Sequence, residues 1–225
     1  MVHGINEEEG RATVEKLGAN AVLCIADLAE DSAPKEIVSA ALKAFGKVDG
    51  VVNNAAIFGG SNISDQEVEH FRKMIQINLT APLFLIKAAF EELKKTSGCV
   101  LNIGSINAHT GESKLLAYSI SKGGMQTMTR NLANSNGIHG IRVNQINPGW
   151  VLTDREYRDK MAVGMKSTWP EDLSRTEIPS GKMTTPEQMG EAAIYWLSDE
   201  SKPFTGSVVD LEQFTIIGRN PEKLG

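Results

Sequence analysis

The chain has 225 residues, 41% hydrophobic and 23% charged, a composition suited to one α/β domain and too apolar for a disordered segment. Its net charge of −5, from 23 basic and 28 acidic residues, lacks the cationic footprint of a general nucleic-acid binder. No apolar run reaches the roughly 18 residues of a membrane span, and MVHGINEEEG lacks the basic start and apolar centre of a signal peptide.

Met1 to Ile5 read as the end of a strand. Asn6 then offers a helix cap, with Glu7, Glu8 and Glu9 in the first turn, and the helix should run to about Leu17 and stop at Gly18. Ala21 to Ala26 are a short buried strand that carries Cys24. Pro34 opens a helix with Ile37, Val38, Ala41, Leu42 and Phe45 at helical spacing, ended by Gly46. Val48 to Asn53 form the next strand. From Ser64 to about Lys95 the pattern is helical, with Pro82 forcing a break or kink just after Asn78. Cys99 to Gly104 read as a strand, Leu116 to about Asn134 as a helix and Ile141 to Ile146 as a strand. Residues 154–183 show no clear period, which predicts a mobile or irregular insertion. Thr185-Pro-Glu-Gln188 starts a helix that runs to about Ser198, and Gly206 to Leu211 close with a strand. Strands alternating with helices predict a single domain over 1–225 with a doubly wound parallel sheet. Cys24 and Cys99, both in apolar runs, suit buried thiols in a reducing cytoplasm.

Chemistry concentrates between Gly104-Ser105 and Tyr118-Ser-Ile-Ser-Lys122. Tyr118 and Lys122 are four apart in a predicted helix and share one face. A lysine ammonium near a phenol favours the phenolate and lowers its pKa, which suits acid–base work on a hydroxyl or carbonyl. Ser105 sits where a buried strand meets a loop, at the carboxyl edge where such sheets bind ligands. Asn53-Asn-Ala-Ala56, Asp27-Leu28 and Asn147-Pro-Gly-Trp-Val-Leu-Thr153 also follow strands, and Asn78 falls at the predicted kink. Each alone reads as an ordinary turn; ordinary turns do not explain five loops bringing small or polar residues to one sheet edge. The four histidines have no ligand-like spacing, so no metal site is expected. His109 reads as a loop residue that could touch substrate.

Together these motifs make the chain resemble the short-chain dehydrogenase/reductase family over essentially its whole length, including the 13 positions from Ser105 to Tyr118. The resemblance implies a three-layer, Rossmann-like αβα fold. It implies Tyr118 as acid/base, Lys122 as the residue that lowers its pKa and holds the nicotinamide ribose, Ser105 on the substrate carbonyl, and Asn78 holding a relay water. It also implies a nicotinamide dinucleotide flanked by Asp27 and Leu28 at the adenine, lined by Asn54, Ala55 and Ala56, and embraced by Pro148, Gly149, Val151 and Thr153. The reaction would be hydride transfer between NAD or NADP and a small alcohol or ketone, a sugar or polyol among the options. Residues 154–183 would be the substrate lid, and the chain a homodimer or homotetramer in the cytoplasm.

The sequence departs from the family at its front. No strand, Gly-rich turn and helix precede Met1, so the first strand and helix of the pattern are missing. The expectation is a true start upstream, with Met1–Ile5 and Ala21–Ala26 lacking the neighbour that would join them to Val48–Asn53. Gly4, Ile5 and Asn6 stand where a charge usually selects NAD or NADP; without an acid there, NADP is mildly favoured, and Arg11 is a phosphate partner or a solvated helix residue. The alternative function is a non-catalytic remnant that binds dinucleotide poorly and serves, if at all, as an oligomer partner.

Overall fold

The computed structural model describes residues 1–214. Strand β1 (Val2–Gly4) gives way at once to helix α1 (Glu7–Leu17), because the Asn6 side-chain oxygen accepts from the backbone N–H of Glu8 and Glu9. Strand β2 (Leu23–Ile25) returns beside β1 in parallel, with Val2 opposite Leu23. Helix α2 (Ala33–Phe45) follows with Pro34 in its first turn, and Gly46, at φ 73°, takes the left-handed residue that ends it.

The second half builds a four-stranded sheet. Strand β3 (Gly50–Asn53) leads to helix α3 (Val68–Ile75), a five-residue π-turn over Gln76–Thr80 and helix α4 (Ala81–Thr96). The break expected at Pro82 is thus a π-turn within a continuing helix, since proline provides no N–H for the Asn78 carbonyl and the ladder widens to pass it. Strand β4 (Cys99–Ile103), the short helix α5 (Asn107–Thr110), helix α6 (Leu116–Asn136), strand β5 (Arg142–Pro148), helix α7 (Asp154–Ala162), helix α8 (Pro186–Leu197) and strand β6 (Val208–Leu211) complete the order. β3, β4, β5 and β6 pair in parallel in that sequence. Helices α4 and α6 cover one face, packing Ile86, Ala89, Leu93 and Ala133 on Val51, Val100 and Val143. Helix α8 covers the other, with Leu197 against Gly50 and Cys99. The result is the three-layer α/β architecture with a parallel sheet.

Among the described residues β1–β2 is a separate two-stranded sheet, unpaired with β3, as the sequence implied. A cavity of about 500 Å³ lies between them, lined by Met1 and His3 on one side, Gly50 to Asn53 on the other, and Ile37, Val38 and Leu85 of the helices. Val52 is 44% exposed on that edge. What holds the small sheet is apolar packing of Ala26, Leu28, Ala33 and Ile37 on Ile77 and Ala81.

Two expectations need correction. Residues 154–183 are not irregular throughout. Thr153 accepts from the Glu156 N–H to cap α7, and Trp169, Ile178 and Met183 form a buried cluster with Trp150, Leu152, Tyr157 and Leu173. The Thr153–Glu156 spacing was the legible signal. Cys99 is buried, but Cys24 is only half-buried because β2 has an open flank. Burial pushes both thiols above their ordinary pKa.

Candidate active site

The site is assembled where β4 and β5 end beneath the start of α6. Helix α6 turns a stripe of Ala117, Ser121, Met125, Thr129 and Ala133 toward the protein, and Lys122 is buried with it. Tyr118, one turn earlier, reaches the open edge. The Lys122 Nζ donates to the Ile103 carbonyl at 2.8 Å and lies 5.7 Å from the centroid of the Tyr118 ring. Being 2% exposed, the lysine is poorly solvated, and burial lowers its pKa from 10.5 to about 8.

Burial dominates the phenol as well and raises it above 10.0; the opposing influence is a hydrogen bond with the Ser105 side chain. Burial outweighs the lowering by Ser105. Ser105 is buried, its Oγ accepting from the Asn107 N–H at 3.2 Å. Gly104 beside it is required, because a Cβ there would run into Asn147 Oδ1 and Gln145 Nε2.

Tyr118, Ser105, Lys122, Asn54, Ala56, Pro148, Gly149 and Val151 line one cavity of about 640 Å³. Sequence reasoning missed several of its other walls. Phe58 meets Tyr118 edge-to-face at 5.1 Å; it follows Asn-Asn-Ala-Ala by a residue and had no periodic signal. Glu212 lies so close to Gly149 that no Cβ would fit between them, and its Oε2 accepts from the Trp150 N–H at 3.2 Å. Glu156, Lys160, Glu177 and Ile178 reach the same cavity from segment 154–183.

Asn78 and Thr153, both assigned, and His109, read as a loop residue, do not line this cavity. Asn78 is fully buried and clasps Ile57, accepting from its N–H at 2.8 Å and donating to its carbonyl at 2.9 Å. Its amide also reaches Ser121 Oγ, so it ties the loop after β3 to α6 from behind the cavity. Thr153 is spent capping α7. His109 faces Asp210, with Nε2 at 3.0 Å from Oδ1.

Asp27, Leu28, Ala55 and Ala56 line a second cavity of about 340 Å³, with His3 and Glu9; Ala56 borders both. The dinucleotide implied by the resemblance fits these residues at its two ends. Small side chains at Ala55 and Ala56 let a flat group approach the backbone, and the Tyr118 cavity admits a ring. The middle fits less well. Among the described residues no Gly-rich turn offers N–H groups to a pyrophosphate, and Asn6 already takes the Glu8 and Glu9 N–H groups at the start of α1.

Residues 1–212 match the family model described as enoyl-(acyl carrier protein) reductase. The chain is 31% identical to trans-4-hydroxycyclohexanecarboxylate dehydrogenase of Sinomonas cyclohexanicum, over 97% of this chain and 86% of that protein. It is 29% identical to L-rhamnose 1-dehydrogenase (NAD(P)(+)) of Sphingomonas sp. strain SKA58, over 88% of this chain and 77% of that one. In fold it is similar to an NADPH-bound short-chain oxidoreductase of Pseudomonas aeruginosa PAO1 with an atypical catalytic centre, at TM-score 0.85 and 22% identity over 95% of this chain and 86% of that one. With its parallel sheet, its Ser105–Tyr118–Lys122 edge and these relatives, the chain belongs to the short-chain dehydrogenase/reductase family of oxidoreductases.

Proposed function

We propose that the protein interconverts a small alcohol and its ketone or aldehyde with a nicotinamide dinucleotide, Tyr118 being the acid/base. The observation that carries this is that Ser105 and Tyr118 line a single cavity together with the buried Lys122. When bound, the dinucleotide supplies or takes up the hydride. The chain's own residues handle the oxygen and its proton. Ser105 donates a hydrogen bond to the reacting oxygen. Tyr118 passes a proton to it in reduction and removes one in oxidation, and its raised pKa keeps it protonated, and so ready as the acid, at neutral pH. Lys122, still charged at neutral pH, steadies the charge that develops on the phenol and would hold the ribose. Asn78 serves by positioning, through Ile57 and Ser121.

Asn54, Pro148, Gly149 and Val151 would hold the nicotinamide half and Asp27, Leu28, Ala55 and Ala56 the adenosine half. Thr153 would act only through α7. Segment 154–183 would cover the substrate. The lining of the cavity proposed for the adenosine supports NAD, against the sequence-based leaning to NADP. Glu9 and Asp27 line it, His3 is engaged with the Ala26 carbonyl, and Arg11 is paired with Glu7, so a ribose hydroxyl is favoured over a 2′-phosphate. Exposed Leu83, Phe84 and Ile120 on α4 and α6 suit a homo-oligomer, and the two free thiols suit the cytoplasm. A panel of small sugars, polyols and cyclic alcohols, followed through the absorbance of reduced nicotinamide, tests the activity. Tyr118→Phe should abolish turnover and leave dinucleotide affinity within about twofold; a near-normal rate would refute the assignment.

A second reading is favoured by the lack of a Gly-rich turn among the described residues: a non-catalytic chain acting as an oligomer partner. Fluorescence titration with NADH and NADPH separates the two, since binding of neither supports this second reading.

A further inference from the structure

The Ser105 backbone is held from behind by a chain of buried amides. Asn53 Nδ2 donates to Asn102 Oδ1 (2.7 Å), Asn102 Nδ2 to Thr129 Oγ1 (2.8 Å) and Thr129 Oγ1 to Gln145 Oε1 (2.8 Å). Gln145 Nε2 then donates to Asn147 Oδ1 (2.7 Å), and Asn147 Nδ2 to Asp210 Oδ1 (2.9 Å). The chain thus crosses β3, β4, α6, β5 and β6. Its five amide and hydroxyl members are at most 6% exposed, so an error in pairing would leave a polar group buried without a partner.

Asn147 is the junction. Its Oδ1 also accepts from the Ser105 backbone N–H at 3.2 Å. An asparagine amide has two orientations, and here its neighbours choose. The Ser105 N–H can only donate and the Asp210 carboxylate can only accept, and they stand on opposite ends of the amide. Turning it over would set N–H against N–H and oxygen against oxygen. His109 stands beside this lock, its Nε2 3.0 Å from the same Asp210 Oδ1 and 3.3 Å from Asn147 Nδ2.

We propose that Asn147 is the positioning residue of the site, fixing Ser105 through its backbone N–H, with the Asp210–His109 pair fixing Asn147. This rests on the proposed role of Ser105, and the experiment below separates the two. Asn147→Ala should lower kcat about 10- to 100-fold, the loss expected when a group contacting the reacting atom is misplaced by about an ångström. In an Asn147→Ala/Ser105→Ala double variant the losses should not add, whereas a residue that merely supports the fold would give additive losses and so overturn the proposal.

Hydrogen exchange provides the arm that needs no turnover. In Asn147→Ala the Ser105 amide should lose protection by about tenfold or more, while the adjacent Gly104 amide, bonded to the Ile146 carbonyl at 2.8 Å, keeps it. Equal loss at both, or none at Ser105, overturns the proposal. If Asn147→Ala does not fold, the pair Asp210→Ala and Asp210→Asn decides. Asp210 is 34% exposed at its side chain, so both variants are tolerable. The alanine should release the Ser105 amide, and the asparagine, whose oxygen still accepts, should hold it; identical behaviour overturns the proposal. An absence of any turnover by the unaltered protein refutes the proposed function alone and leaves this arm to decide.

Discussion

A buried ammonium opposes folding, and Lys122 permits the opposition to be measured. The lysine is 2% exposed, and burial brings its pKa from 10.5 to about 8. Each tenfold change in a protonation equilibrium is worth about 1.4 kcal/mol, so the charged lysine costs the folded state about 3 kcal/mol at neutral pH. The sign follows from proton counting. Between about pH 8 and 10.5 the unfolded chain holds the proton that the folded chain has released. Stability attributable to this residue therefore rises with pH across that window. The clean measurement is the difference between the unaltered protein and Lys122→Met, by urea denaturation from pH 7 to 10.5. Subtraction removes other titrations, and the hydrogen bond to the Ile103 carbonyl is made by either protonation state. The unaltered protein should gain about 3 kcal/mol on the variant over this range, equivalent to about 6–12 °C in melting temperature. A difference that stays flat within about 1 kcal/mol would refute the desolvation argument.

Other predictions concern packing and selectivity. Trp169, 2% exposed and stacked with Trp150 at 5.8 Å, anchors segment 154–183; Trp169→Ala should cost about 3–5 kcal/mol, read by thermal melting, and should open the segment first to limited proteolysis. Arg142 is buried and donates to the carbonyls of Trp196 and Ser198 and to Ser201 Oγ, closing the carboxyl end of α8. Arg142→Met strands those acceptors and should destabilise by about 2–4 kcal/mol in chemical denaturation. Fluorescence titration should give tighter binding of NADH than NADPH, and Glu9→Gln should narrow the gap by weakening the repulsion of the 2′-phosphate.

Most of the sheet was legible in the sequence, as were Ser105, Tyr118 and Lys122, which line one cavity and are proposed to carry the reaction. Buried strands, glycine stops and the i, i+4 pair Tyr118–Lys122 are local signals, and local chemistry determines them. Less legible was anything resting on through-space partners. Burial raises the Tyr118 pKa, with Phe58 packed edge-to-face on the ring, a contact that no spacing encodes. His109 read as a loop residue and is in fact paired with Asp210, 101 positions away. Asn147 read as part of a turn, and its role comes from the Asp210 and Ser105 groups on either side of it.

The separation of the two sheets makes the front of the domain a distinct unit of stability. A buried strand is normally secured on both edges, but among the described residues β1 and β2 pair only with each other, through three register pairs, and a pair of short strands is marginal in water. Their remaining support is the apolar contact of Ala26, Leu28 and Ala33 with Ile77 and Ala81, and α1 adds little because only Gly10 among its residues is buried. Strand β4, by contrast, is paired along both edges and four of its five residues are buried. Opening the front should therefore be a sub-global event that leaves β3–β6 folded. Native-state hydrogen exchange should find the amides of Leu23 to Ile25 and of α1 exchanging at least about 100-fold faster, relative to their intrinsic rates, than those of Val100 to Asn102. Because His3, Glu9, Asp27 and Leu28 line the cavity proposed for the adenosine, dinucleotide binding should slow exchange at the front more than in the sheet. Equal protection of both regions would show that the packing onto Ile77 and Ala81 joins the two sheets into one cooperative unit.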